Sequence, residues 1–273
     1  MLKLLSRIRK LVRGGRAEPS PTVPPLLSQR LKIWADRGEP SYDENSLVTW
    51  QQSLDFLTDP RFRAAYARGM NSGHQIVRPP GSREDIHIEW RVMMACWLGW
   101  HAKRLRGDFV ECGVNTGITS LAICEYVDFN SLDKSFYLFD TYDGIPERSM
   151  LPEERKGRMA ENEQYFVECY EIAKRNFAEY PRARLIRGIV PDTLATVDIN
   201  SVAFLHLDMN VAQPERAAIE HFWPKMSVGA VVLLDDYGWT PYRPQKDTLD
   251  EFATGEGVEI LTLPTGQGLL IKS

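Results

Sequence analysis

Cysteine is scarce in this chain, four residues in 273, and Cys96, Cys112, Cys124 and Cys169 form no C-x-x-C pair. That scatter excludes a zinc knuckle and a disulfide framework, and it is expected of a protein kept in a reducing cytoplasm. There is no run approaching the roughly 18 apolar residues that a membrane-spanning helix needs, and no apolar core with a small-residue cleavage site near the start. A soluble chain is the expectation. Neither sign of charge is in large excess. Lys and Arg number 33 against 37 Asp and Glu, a net charge of −4, which argues against a surface that grips nucleic acid and for a small-molecule partner. There is no internal repeat. What remains, 43% hydrophobic and 26% charged residues, is enough to bury one large core with a small appendage.

The first sixteen residues, MLKLLSRIRKLVRGGR, hold six basic residues, no acidic one, and Leu4, Leu5, Ile8, Leu11 and Val12 at helical spacing. They read as a basic amphipathic helix, for which packing on a second subunit of a homodimer, or a frayed terminus, is expected ahead of contact with an anionic membrane surface. The proline-rich link Pro19–Pro25 closes this first segment, residues 1–25. Residues 26–106 read as a helical cap. Short helices broken by Gly, Pro and Asn run to about Gly81, and a longer helix over 84–105 carries Ile88, Val92, Ala95, Cys96 and Gly99 at intervals of three and four.

From Gly107 to the end, residues 107–273, strand-like and helix-like segments alternate, the pattern of a sheet covered on both faces. Strands are expected at 108–114, 135–141, 184–187, 202–209 and 230–235, with helices near 116–127, 163–179, 214–225 and 244–254. Two last strands, 258–263 and 268–272, are joined by Pro264-Thr265-Gly266-Gln267, too short for a parallel crossover and right for a hairpin. The expected fold is therefore an α/β, Rossmann-like, mostly parallel seven-stranded sheet with one antiparallel strand, the shape of class I methyltransferases. Residues 142–162 are polar, charged and long for a connection, and are expected to form a mobile lid or an ordinary surface loop.

Three motifs fall at strand ends, where ligands bind in such sheets. In GDFVECGVNTG (107–117), Glu111 precedes a turn bracketed by Gly113 and Gly117, with Thr116 inside it. Its G-x-x-x-G spacing lacks the G-x-G-x-x-G of pyrophosphate binding, and an acidic residue there suits a ligand bearing an ammonium group. In SFYLFDTYDGIP (135–146), Asp140 ends the second strand, where a carboxylate can accept two ribose hydroxyls. In HLDMN (206–210) and LLDDYG (233–238), Asp208, Asp235 and Asp236 are expected to converge. Three like charges are costly unless a cation joins them, and an all-oxygen set points to Mg²⁺; the alternative is helix capping. His206, two residues before Asp208, is expected on the same strand face, either shuttling a proton or packed in the core.

GDFVECGVNTG, FDTYDGIP, LHLDMN with Pro214-Glu215, and SVGAVVLLDDYG, in this order over about residues 85–273, resemble the macrocin O-methyltransferase (TylF/MycF) family. The resemblance implies S-adenosylmethionine and Mg²⁺ as cofactors and a hydroxyl of a sugar on a natural product as acceptor. It implies that Glu111, Gly113, Thr116, Gly117 and Asp140 hold the methyl donor, and that Gly188 and Asp192 of RGIVPDTL border its adenine. Asp208, Asp235 and Asp236 would bind the metal, and Asp208 or His206 would take the proton. Two departures stand out. The family's D-G-D is Asp208-Met209-Asn210 here, and Val211 stands where related catechol-type enzymes carry a lysine. Two other readings suit an acidic pocket at strand tips: a metal-dependent sugar-nucleotide glycosyltransferase and a noncatalytic nucleoside-binding scaffold.

Overall fold

The structure, a computed structural model, describes residues 38–76, Ser82 and residues 84–273. The expected basic helix and proline link of residues 1–25 lie outside the described residues. The chain divides into two compact units, one ending at Leu54 and one spanning Asp55–Ser273.

In the first unit, β1 (Tyr42–Glu44) and β2 (Leu47–Thr49) form an antiparallel hairpin where short helices are expected from the sequence. Asn45 and Ser46 both take positive φ, 46° and 61°, the backbone that a two-residue hairpin turn demands. Ser41 closes the open end, its N–H donating to the Thr49 carbonyl at 2.8 Å.

The second unit opens with α1 (Pro60–Met70), started by Asp59, whose carboxylate accepts from the N–H groups of Arg61 and Phe62 at 2.7 and 3.0 Å. Then come α2 (Glu89–Ala102), shorter than the expected 84–105, and β3 (Asp108–Cys112), α3 (Ile118–Val127) and β4 (Phe136–Asp140). Next are α4 (Pro152–Gln164), α5 (Tyr170–Phe177), β5 (Ala183–Arg187) and β6 (Val202–Leu207). The chain finishes with α6 (Ala212–Phe222), β7 (Met226–Leu234), α7 (Arg243–Glu256), β8 (Leu261–Thr262) and β9 (Gly268–Ile271).

The strand order is β5-β4-β3-β6-β7-β9-β8, parallel except for β9, which runs antiparallel to both neighbours. This is the expected seven-stranded sheet. Alternate side chains serve two cores. Phe109, Phe136, Leu138, Phe204 and Leu233 pack with Leu98 of α2, Leu121 of α3 and Phe177 of α5. Val110, Phe139, Leu205 and Val232 pack with Phe222 of α6 and Leu249 of α7. Two sequence expectations change. The helix expected over 163–179 is shorter, α5 at Tyr170–Phe177, and α4 lies mostly within the segment expected to be a lid or loop.

Register is what builds the site. Cys112 pairs with Phe139 and with Leu207, and Leu207 with Leu234. The residues that follow, Gly113, Asp140, Asp208 and Asp235, therefore stand side by side at one edge of the sheet. Backbone bonds fix them there: Gly113 N–H to Phe139 O, Asp208 N–H to Cys112 O, and Asp235 N–H to Leu207 O, at 2.9, 2.8 and 2.9 Å.

Candidate active site at the strand tips

The acidic half of the site starts from a cross-strand pair. Glu111 and His206 are register partners on β3 and β6, both buried, with His206 Nδ1 2.9 Å from Glu111 Oε1. On its other side, His206 Nε2 lies 3.6 Å from Asp235 Oδ1. Burial alone would lower the imidazole's proton affinity, but the neighbouring Asp235 and Glu111 carboxylates outweigh it and push the pKa up to about 10. His206 thus lies between two carboxylates that favour its protonated form.

Asp208 and Asp235 share this corner with His206, one ligand atom of each lying within 4.8 Å of the others. Their surroundings differ sharply. Asp235 accepts from Gln267 Nε2 at 2.8 Å and from the Arg91 guanidinium, and Arg91 Nη2 also donates to Asp236 Oδ1 at 3.0 Å and to the Asp235 carbonyl at 2.8 Å. Burial opposes ionisation of Asp235, but Arg91, His206 and Gln267 hold its carboxyl well below the usual range. Among the described residues the Asp208 carboxylate has no hydrogen-bond partner, and burial together with Asp235 and Asp236 raises its pKa well above the ordinary value.

The sequence expectation placed Mg²⁺ among Asp208, Asp235 and Asp236. The arrangement does not fit that ion. A bridging cation is already present as the Arg91 guanidinium, wedged between Asp235 and Asp236, and Gln267 takes the remaining face of Asp235. Among the described residues Asp208 keeps both carboxylate oxygens and Asp236 keeps Oδ2, but an ion bridging to Asp235 Oδ2 would have to take the place of that guanidinium.

In the other half, the turn after β3 is shaped by packing. Gly113 has φ +93°, and a Cβ there would sit 2.0 Å from the Asp208 carbonyl oxygen; at Gly117, φ +99°, it would meet the Phe177 ring at 2.7 Å. Thr116 is buried and donates its hydroxyl to Ser72 Oγ at 2.9 Å. Asp140 ties this turn to β4: one oxygen accepts from Val114 and Asn115 N–H at 2.6 and 2.7 Å, the other from Tyr142 N–H at 2.6 Å. Gly188 donates its N–H to the Asp140 carbonyl at 2.8 Å. Asp192 is exposed and ion-paired with Arg148. Glu111 Oε2 is buried with no partner among the described residues, an open acceptor suited to a cationic group.

Next to Asp236 lies α4, whose Arg158 and Glu161 are close enough to act on its charge. Glu154 accepts from the N–H groups of Leu151 and Ala212, each at 2.8 Å, tying α4 to the start of α6. Arg158 bonds Glu161 at 2.7 Å and lies 4.1 Å from the centre of the Tyr242 ring. Arg91, Gln267, Glu154 and Arg158 were not singled out from the sequence. One signal was available for Arg91: a lone arginine among the apolar positions that open α2.

The macrocin-O-methyltransferase (TylF) family model matches residues 92–259. Demethyldecarbamoylnovobiocin O-methyltransferase of Streptomyces niveus is 29% identical over 153 residues, 54% of this chain and 58% of that protein. An 8-demethyl-8-(2,3-dimethoxy-alpha-L-rhamnosyl)-tetracenomycin-C 4'-O-methyltransferase of Streptomyces olivaceus is 26% identical over 138 residues, 48% of this chain and 53% of that protein. The chain thus spans little more than half the length of the curated relatives it matches. Among solved structures, the O-methyltransferase NovP superposes with a TM-score of 0.64 at 23% identity, covering 81% of this chain and 98% of that one. The calicheamicin methyltransferase CalS11 superposes with a TM-score of 0.52 at 16% identity, covering 86% and 98%. Both share the fold.

Proposed function

The chain belongs to the macrocin O-methyltransferase (TylF) family, and from that premise we propose that it transfers a methyl group from S-adenosylmethionine to a hydroxyl of a small molecule. The observation that carries this reading is Asp208, a carboxylate with no protein donor, at a strand tip directly against the Gly113 turn.

Glu111, through its unpartnered oxygen, and the tips at Gly113, Asp140 and Gly188, with Asp192 at the rim, would hold the donor; Thr116 and Gly117 support the turn. When bound, the donor supplies a methyl carbon made electrophilic by its sulfonium. This chain's residues do the rest. Asp208 accepts the hydroxyl's hydrogen bond and takes its proton as the oxygen–carbon bond forms and the carbon–sulfur bond breaks. Its raised proton affinity suits it to that role, and base catalysis of this kind contributes about 10²–10⁴-fold. His206, set between Glu111 and Asp235, positions both carboxylates beside the pocket. α4, beside Asp236, excludes water and shapes the acceptor cavity.

For the acceptor we propose a sugar hydroxyl on a natural product, supported by the rhamnosyl acceptor in the name of one relative. Calorimetry with S-adenosylmethionine tests the donor, and Asp208→Asn tests the base. The variant is expected to bind donor within about twofold of wild type while turnover falls at least about 100-fold. Absence of donor binding at millimolar concentration overturns the reading.

A further inference from the structure

We propose that Arg91 is the resident cation of the carboxylate pocket, taking the place of a divalent metal ion, so that the site does not bind one. This inference rests on the pocket's own geometry and stands apart from the donor reading above.

The charge inventory poses the problem. Glu111, Asp208, Asp235 and Asp236 meet at the tips of β3, β6 and β7, and such a group persists only with compensating positive charge. His206 meets part of the need between Glu111 and Asp235. Arg91 meets the next part. A single nitrogen, Nη2, contacts the Asp235 carboxylate, the Asp236 carboxylate and the Asp235 carbonyl, the wedge that a bridging ion would fill. The arginine reaches it from the third residue of α2, and that helix is anchored on the core by Val92, Ala95, Cys96 and Leu98. The guanidinium is thus delivered by a rigid element, and its charge does not titrate.

Two further features commit the pocket to protein donors. Gln267, from the β8–β9 turn, occupies the second oxygen of Asp235 at 2.8 Å. The third residue of the strand-tip motif is the amide Asn210, whose Nδ2 lies 3.4 Å from the Asp208 carbonyl. Among the described residues a divalent ion would find free oxygens on Asp208 and on Asp236 Oδ2, and would have to displace a guanidinium to bridge Asp235 and Asp236. Arg91 leaves its Nε and Nη1 groups without a hydrogen bond among the described residues, so the cation retains donors for an anionic oxygen in the cleft.

The experiment is a Mn²⁺ titration of the full chain followed by electron paramagnetic resonance of the free ion, on wild type, Arg91→Met and Arg91→Lys, with melting curves confirming that each is folded. Wild type and Arg91→Lys are expected to show no stoichiometric site tighter than about 1 mM, and Arg91→Met to bind at least about tenfold more tightly than wild type. A single wild-type site in the micromolar range, or no gain in Arg91→Met, overturns the proposal. If Arg91→Met does not fold, the wild-type titration decides alone. Donor calorimetry on the same samples separates the two readings, because a chain that binds neither donor nor Mn²⁺ defeats methyl transfer and leaves the role of Arg91 standing.

Discussion

Asp208 and Asp235 end neighbouring parallel strands, yet their proton affinities move in opposite directions, because Arg91 and Gln267 attend one and not the other. Position along the sequence announced both aspartates, since acidic residues at the ends of adjacent apolar strands must converge. The partner that divides them was not legible. Arg91 lies 144 positions from Asp235 and is brought to it by a helix docking, which no spacing rule encodes. Gly113 was legible as a special residue, but for a different reason. From the sequence it admits a ligand to the backbone; in the fold it admits the Asp208 carbonyl, 2.0 Å from where a Cβ would stand. Gly113→Ala must therefore push the β6 tip away in addition to straining its own backbone at φ +93°. A loss of about 3 kcal/mol or more in denaturant melts is expected, typical of strain combined with overpacking. A variant with wild-type stability would show that the two tips are not in contact.

Among the elements, the sheet strands were legible and α4 was not. Each central strand is a short apolar run bounded by polar turns, so chain composition reports it directly. The segment PEERKGRMAENEQ has no apolar stripe; its buried residues are Glu154 and Arg158. It is held by polar anchors instead, and periodicity of hydrophobic residues cannot reveal an element held in this way. The Glu154 carboxylate is the main anchor, accepting from Leu151 and Ala212. Glu154→Ala leaves both N–H groups unpaired and should loosen α4 without touching the donor half of the site. Hydrogen exchange over 152–164 is expected to speed up at least about tenfold, with the acceptor KM rising and donor affinity unchanged. Equal exchange in the variant would mean that α4 is held by other contacts.

At the scale of the whole molecule, the strand order follows from alternation of elements and from one short hairpin, both visible in the sequence. The behaviour of the buried charges as a set depends on the assembled fold. Glu215 of α6 shows the consequence for global stability. It is buried, accepts from Met209 N–H at 3.0 Å and from Gln245 Nε2 at 2.6 Å, and lies close enough to Asp236 to be repelled. Burial first, and Asp236 second, raise its carboxyl pKa to about 8 against the two hydrogen bonds. The folded chain therefore keeps a proton that the unfolded chain releases near the ordinary glutamate value of about 4.3. Proton uptake by the folded state in this window means that the contribution of Glu215 to stability is full below about pH 4, declines as pH rises, and is lost by about pH 8. Glu215→Gln retains an acceptor oxygen for both bonds and removes the ionisation. Its melting temperature relative to wild type should climb by about 8 °C between pH 5 and pH 9 and level off beyond. A difference that stays constant across that range would show that Glu215 ionises in the folded chain at its usual pKa, and that the charge at the strand tips does not reach α6.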